Sequence, residues 1–144
     1  MKNTGLGDPA EKLILIVDDD DSVMELFDFV ARKEGFKTVK ATSGEAAIKT
    51  ARLLRPALVL LDLMLPKPGG FEVMRELQND DTSDIPIVII TGRLLDRSTL
   101  ELIKQEPNVK DCLEKPVEPQ VLAALLHTLL ETRAASNTKL PEPQ

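Results

Sequence analysis

The sequence predicts an α/β domain: a doubly wound, five-stranded parallel sheet with five helices. Three observations predict it. Short strand-like segments alternate five times with stretches of helical periodicity. The segments LILIV, ALVLL and IPIVII are continuously apolar and do not alternate, as expected of strands buried on both faces. The 144 residues, 42% of them hydrophobic, suit one domain with a full core.

The elements follow in order. Leu13–Val17 is the first strand. A helix is expected over 21–34, where Val23, Leu26, Phe27 and Val30 repeat at helical spacing. Asp20 or Asp21 is its N-cap, and Gly35 stands where a C-terminal cap belongs. Lys37–Ala41 is the second strand. Thr42 and Ser43 compete to cap a helix carrying Ala46, Ala47, Ile48, Ala51 and Leu54, and Thr42 with Glu45 has capping-box spacing. Pro56 closes that helix region. Residues 57–61 form the third strand, which ends in Asp62. The loop Leu65-Pro66-Lys67-Pro68-Gly69-Gly70 leads into a helix through Phe71, Val73, Met74 and Leu77. A polar loop spans 79–84, and 85–90 is the fourth strand, running out at Thr91-Gly92. A helix through Leu95, Leu100 and Ile103 comes next, then a weaker strand over 109–113 that ends near Lys115-Pro116. The last helix starts at Pro119, a good first-turn residue, and runs to Thr132. Residues 1–11 are expected to be a flexible N-terminus and 133–144 a flexible tail or linker stub, leaving 12–132 as the domain.

Composition excludes several classes. No apolar run reaches the roughly 18 residues of a membrane helix. The opening MKNTGLGDPAEK lacks the apolar stretch of a signal peptide. Cys112 is the only cysteine, so it has no internal disulfide partner, and a reducing cytoplasm is expected. It reads as a buried, inert thiol. The net charge of −6 argues against a duplex-DNA surface, and the lack of Trp and Tyr against base-stacking platforms. His127, on the last helix, reads as a surface or boundary residue and not a phosphohistidine.

The chemistry gathers at the strand ends. LILIVDDDDS drives an apolar strand into four aspartates. In an open parallel sheet, ligands collect at the carboxyl ends of the strands, near the reversal of strand order. Asp18, Asp19, Asp62, Thr91 and Lys115 all stand at such ends. A lone aspartate after a strand is usually a helix cap, which accounts for Asp20 or Asp21 but not for the pair before them. If strands one and three are neighbours, three carboxylates converge. Two of them about 4 Å apart repel by roughly 4 kcal/mol at an effective dielectric near 20. Such a cluster either takes up protons or holds a cation. Oxygen ligands favour Mg²⁺, and the lack of nearby His or Cys disfavours zinc. A lysine and a threonine hydroxyl beside a metal suit phosphoryl handling, and an aspartate can itself be the nucleophile.

ILIVDDD, LVLLDLMLPKPGGFE, PIVIITG and LEKPV stand in the order of the signature segments of response-regulator receiver domains. Over about residues 12–132 the chain resembles that family, the phosphoacceptor half of two-component signalling. The resemblance implies a flavodoxin-like sheet with strand order 2-1-3-4-5. It implies Asp62 as phosphoacceptor, with Asp18, Asp19, Asp62 and the main-chain carbonyl of Met64 serving Mg²⁺. It implies that Thr91 and Lys115 bind the phosphoryl group, and that Lys115-Pro116 is cis. The implied partners are a sensor histidine kinase or phosphotransfer domain and a downstream output protein or domain, in a bacterial cytoplasm. The implied chemistry is self-phosphorylation and slow autodephosphorylation, not multiple turnover. Phe29, at the margin of the first helix, either packs or contributes to kinase docking.

The sequence departs from the family's pattern in two places. Cys112 stands where the family carries a switching aromatic. Glu106-Pro107-Asn108 replaces the small-residue turn before strand five, in a longer connection than usual.

Two rival readings use the same residues. A haloacid-dehalogenase-like phosphatase would use Asp18 as nucleophile and Asp20 as acid/base. It lacks a late acidic pair after Lys115 and leaves Asp62 unexplained. A non-phosphorylated interaction module of the same fold is the other. The wide apolar face of the last helix (Val121, Leu122, Leu125, Leu126, Leu129, Leu130) suits core alone or core plus a homodimer contact.

Overall fold

The computed structural model describes residues 6–79, 81–92 and 95–134. After a short 3-10 turn at Pro9–Glu11, the chain runs β1 (Leu13–Val17), α1 (Asp21–Lys33), β2 (Lys37–Ala41), α2 (Gly44–Leu54), β3 (Leu58–Asp62), α3 (Gly70–Glu76), β4 (Ile87–Thr91), α4 (Arg97–Lys104), β5 (Val109–Glu114) and α5 (Pro119–Leu130). The five strands form one sheet in the order β2-β1-β3-β4-β5, with every pair parallel. This is the doubly wound 2-1-3-4-5 order expected.

Alternate residues of the apolar strands serve opposite faces, because successive side chains point to opposite sides of a sheet. Leu15, Val17, Val59, Leu61, Ile87 and Ile89 pack with Ala47 and Ala51 of α2, Val73 and Met74 of α3, and Ile103 of α4. Ile14, Ile16, Leu58, Leu60, Val88 and Ile90 pack with α1 and with Leu122, Leu126 and Leu130 of α5. Each fully buried Leu or Ile contributes roughly 1.5–3 kcal/mol. The all-apolar strands are therefore the signature of a two-sided core.

Local chemistry corrects several boundaries. The core stripe of α1 is Met24, Phe27, Val30 and Ala31, whereas Leu26 is 39% exposed. Asp20 caps this helix by accepting from Ser22 N–H and Val23 N–H. Gly35, at φ 98°, lets the chain turn after it. Ser43, not Thr42, caps α2, accepting from Ala46 N–H. β4 starts at Ile87: Ile85 N–H closes a turn onto Thr82 O, and Pro86 has no N–H to give. Asp96 caps α4, so Leu95 precedes that helix. α5 stops at Leu130 because Glu131 turns left-handed, with φ 55°. On its apolar face Leu122, Leu126 and Leu130 are buried, while Val121 is 49% exposed.

Two side chains differ from expectation. His127 is buried rather than at a boundary. Cys112 is half-buried, opposite Ile89 across a β4–β5 pairing that shifts register between Ile87 and Val88. Of the N-terminal stretch, residues 1–5 lie outside the described residues. From Leu6 onward the chain is tied down: Gly7 N–H donates to Glu131 O, and Arg133 N–H to Gly7 O. Of the tail, 135–144 lies outside the described residues.

Candidate functional site

Strand order reverses between β1 and β3, so their carboxyl ends lie side by side. That places Asp18 and Asp62 next to each other with Asp19 just beyond. One carboxylate oxygen from each of the three lies within 4.8 Å of the other two. Asp18 and Asp62 are buried, and Asp19 is exposed. The cluster is thus anchored in the sheet and open on one side.

The two buried acids are held by backbone. Asp18 Oδ1 accepts the N–H of Asp20 at 2.9 Å, and Asp20 in turn caps α1. Asp62 Oδ1 accepts the N–H of Met64 at 3.0 Å. The turn after Asp62 is packed against Gly70: a Cβ there would meet Leu63 Cα at 2.5 Å and Asp62 O at 2.6 Å. Gly70 therefore lets α3 lie directly on the backbone that carries Asp62. The adjacent glycines after the proline loop were the signal for this, but only the packing shows which one needs to lack a side chain.

Lys115 completes the cluster from the end of β5. Its N–H donates to Thr91 O at 2.8 Å, which ties that strand end to β4. Its Nζ lies 3.1 Å from Asp18 Oδ2 and 3.7 Å from Asp62 Oδ2. Thr91 is buried at the end of β4, in register with Glu114. The expected cis bond at Lys115-Pro116 is present, and a second, unexpected one lies at Lys67-Pro68.

Charge in this pocket is strained toward a cation. Burial pushes the Asp62 carboxyl above its ordinary value. Asp18 and Asp19 add to the rise, while the Met64 N–H and Lys115 oppose it. For Lys115, burial acts downward, but the Asp18 carboxylate, and then the charges of Asp62 and Asp20, outweigh it and hold the ammonium above its ordinary value. One lysine faces three acids. Although Lys115 Nζ is at ion-pair distance, Asp18 Oδ2 is buried without an aligned hydrogen bond. An under-satisfied buried carboxylate oxygen beside two further carboxylates fits a hard, oxygen-ligated divalent ion such as Mg²⁺. Asp20, by contrast, is exposed and committed to the helix cap.

Cys112 sits on β5, three residues before Lys115, packed on the face cluster of Leu15 and Ile89. Burial, then Asp111, pushes its thiol upward. Phe29 is 62% exposed on α1, with Lys33 Nζ 6.0 Å from its ring centroid.

The response regulator receiver domain family matches residues 14–127. The chain is 40% identical over 124 residues to the DNA-binding response regulator MtrA of Mycolicibacterium smegmatis, covering 85% of this chain and 52% of that protein. It thus spans about half the length of the curated relatives it matches. Among solved structures it is similar to the signal receiver domain of a signal transduction histidine kinase from Syntrophus aciditrophicus. There the TM-score is 0.73 at 28% identity, covering 92% of this chain and 96% of that one. The chemotaxis response regulator CheY4 of Vibrio cholerae shares the fold, with TM-score 0.75 at 22% identity over 83% of this chain and 98% of that one.

Proposed function

The chain belongs to the response regulator receiver family, and on that premise we propose that Asp62 is the phosphoacceptor of a two-component system. The observation that carries the reading is the meeting of Asp18, Asp19 and Asp62 within 4.8 Å beside Lys115. The donor is the phosphohistidine of a sensor kinase or a phosphotransfer protein. Asp62 Oδ1 is engaged by the Met64 N–H, so Oδ2, on the Lys115 side, is the attacking atom. The Oδ2–P bond forms as the P–N bond of the donor breaks, and the imidazole leaves with the bonding pair. Lys115 balances charge on the transferred phosphoryl oxygens, and the Thr91 hydroxyl donates to one of them. Asp18, Asp19, Asp62 and the main-chain carbonyl of Met64 would hold Mg²⁺, which would supply charge neutralisation for those oxygens. Water later cleaves the acyl phosphate to carboxylate and inorganic phosphate, so the chain is a switch and not a multiple-turnover catalyst.

The receiver unit in this reading spans 12–132 and works in the cytoplasm. No helix among the described residues is long and apolar enough to cross a membrane. The relatives named as DNA-binding are about twice the matched length. A net charge of −6 on this chain argues against direct nucleic-acid contact by the receiver unit. Cys112 cannot swing as an aromatic would, so the output face answers phosphorylation through a different packing change.

The test is incubation with a small phosphodonor and Mg²⁺, followed by intact mass and peptide mapping. One acid-stable, base-labile phosphoryl group on Asp62 is expected, and Asp62→Asn should abolish it without unfolding the domain. Label on Asp18 would instead support a phosphatase of the haloacid-dehalogenase kind. No label, with no response to Mg²⁺, would leave an interaction module. Lys115→Ala should weaken the phosphorylation-induced spectral change more than it weakens Mg²⁺ binding.

A further inference from the structure

The sole histidine of the chain lies at the opposite edge of the sheet from the acid cluster. Helices in this fold run back against the strands, so the C-terminal ends of α1 and α5 meet near the strand starts. There His127 Nε2 lies 2.9 Å from Glu34 Oε1, and Nδ1 lies 2.7 Å from Thr132 Oγ1. Both ion-pair side chains are only 10% exposed. The Phe36 ring covers the imidazole, with centroids 5.0 Å apart. These three polar residues come from different places: the cap of α1, the last turn of α5, and the segment beyond it. The phosphoryl chemistry uses none of them.

The backbone around them is equally joined. Thr132 N–H donates to His127 O at 3.1 Å, Gly7 N–H to Glu131 O at 2.7 Å, and Arg133 N–H to Gly7 O at 3.0 Å. Gly7 and Thr132 form a parallel bridge. Pro9 is buried and lies against Gly35, next to Glu34. Of the charged residues in these segments, Lys12 passes its stem beside Gly7, and Glu131 and Arg133 follow α5 with their backbones paired to Gly7.

We propose that Glu34, His127 and Thr132 form a buried clasp that locks the N-terminal segment and residues 131–133 to the end of α1, and so sets the direction in which the chain leaves α5. An ionised carboxylate can only accept, so Nε2 carries a hydrogen toward Glu34. The Thr132 hydroxyl can donate to a bare Nδ1 or accept from a protonated one, so the clasp holds with a neutral or a charged ring. Opening the clasp frees the exit from α5 without touching the acid cluster, which is anchored at the other edge of the sheet.

The test uses the full 144-residue chain. Nitrogen NMR of its one imidazole should show hydrogen on Nε2, alone or on both nitrogens; a neutral ring carrying hydrogen on Nδ1 would overturn the clasp. Thr132→Val and Glu34→Met are then compared by amide hydrogen exchange. Exchange at Gly7, Thr132 and Arg133 should speed up by about tenfold, the loss of one net hydrogen bond. Amides of β1 and β3, and Mg²⁺ affinity at the acid cluster, should not change. Unchanged exchange at those three amides, or an equal rise across β1 and β3, would refute the proposal.

Discussion

Replacing Gly70 by alanine puts a methyl group into occupied space. The new Cβ would lie 2.5 Å from Leu63 Cα, 2.6 Å from Asp62 O and 2.8 Å from Leu63 O. Ordinary contact starts near 3.4 Å, so α3 or the turn after Asp62 must retreat by about 0.9 Å. All three neighbours are backbone atoms, so no rotamer change relieves them. Overpacking costs about 1–3 kcal/mol, and the upper end applies where only backbone can move. Alanine's better helix propensity returns about 1 kcal/mol. The net loss is about 2 kcal/mol, which for a chain of this length lowers Tm by about 7 °C. The chemistry should suffer more than the fold, because the atoms that move carry Asp62. A misplacement near 1 Å costs up to about 100-fold in rate. Thermal unfolding by circular dichroism and phosphorylation rate by intact mass read the two effects. Gly69→Ala is the control, since its Cβ would meet only Leu65 O, at 3.4 Å. A Gly70→Ala protein that melts within about 2 °C of wild type and phosphorylates at its rate would refute the reasoning.

The Asp62 carboxyl is raised above its ordinary 3.8, so without metal the folded state holds a proton that the unfolded state has lost. Its contribution to stability is complete below 3.8 and is lost as pH rises through the higher folded value. Urea unfolding in a chelator should therefore show wild type losing stability relative to Asp62→Asn across that window, and a relative gain would contradict the assignment. Mg²⁺ should reverse the loss at neutral pH. The Cys112 thiol is raised by burial and then by Asp111, so at pH 8 it should alkylate more slowly than free cysteine, and faster in Asp111→Asn. Alkylation as fast as the free amino acid would show that the residue is not sheltered as described.

The strands and the candidate site were legible for a common reason. β1 and β2 occupy the residues expected, and Asp18, Asp62, Thr91 and Lys115 arrive at strand ends because apolar runs stop where the chain leaves the core. Helix faces were less legible. α1 carries apolar residues at both Leu26 and Met24, and periodicity alone does not say which turns inward. Met24 is buried because α1 lies over the Ile14–Ile16 face of β1 and against α5, a choice made by packing.

The chain's local chemistry was enough to determine an alternating α/β domain with acids at the strand tips, since strand length, helix period and capping residues act over a few positions. Tertiary structure alone decided what meets across distance. It brought Lys115 to 3.1 Å from Asp18, selected Gly70 as the contact under Asp62, and turned a lone His127 into the partner of Glu34, 93 residues away. Burial and pairing of that kind are set by how sheet and helices close on one another, and no short stretch of sequence contains that information.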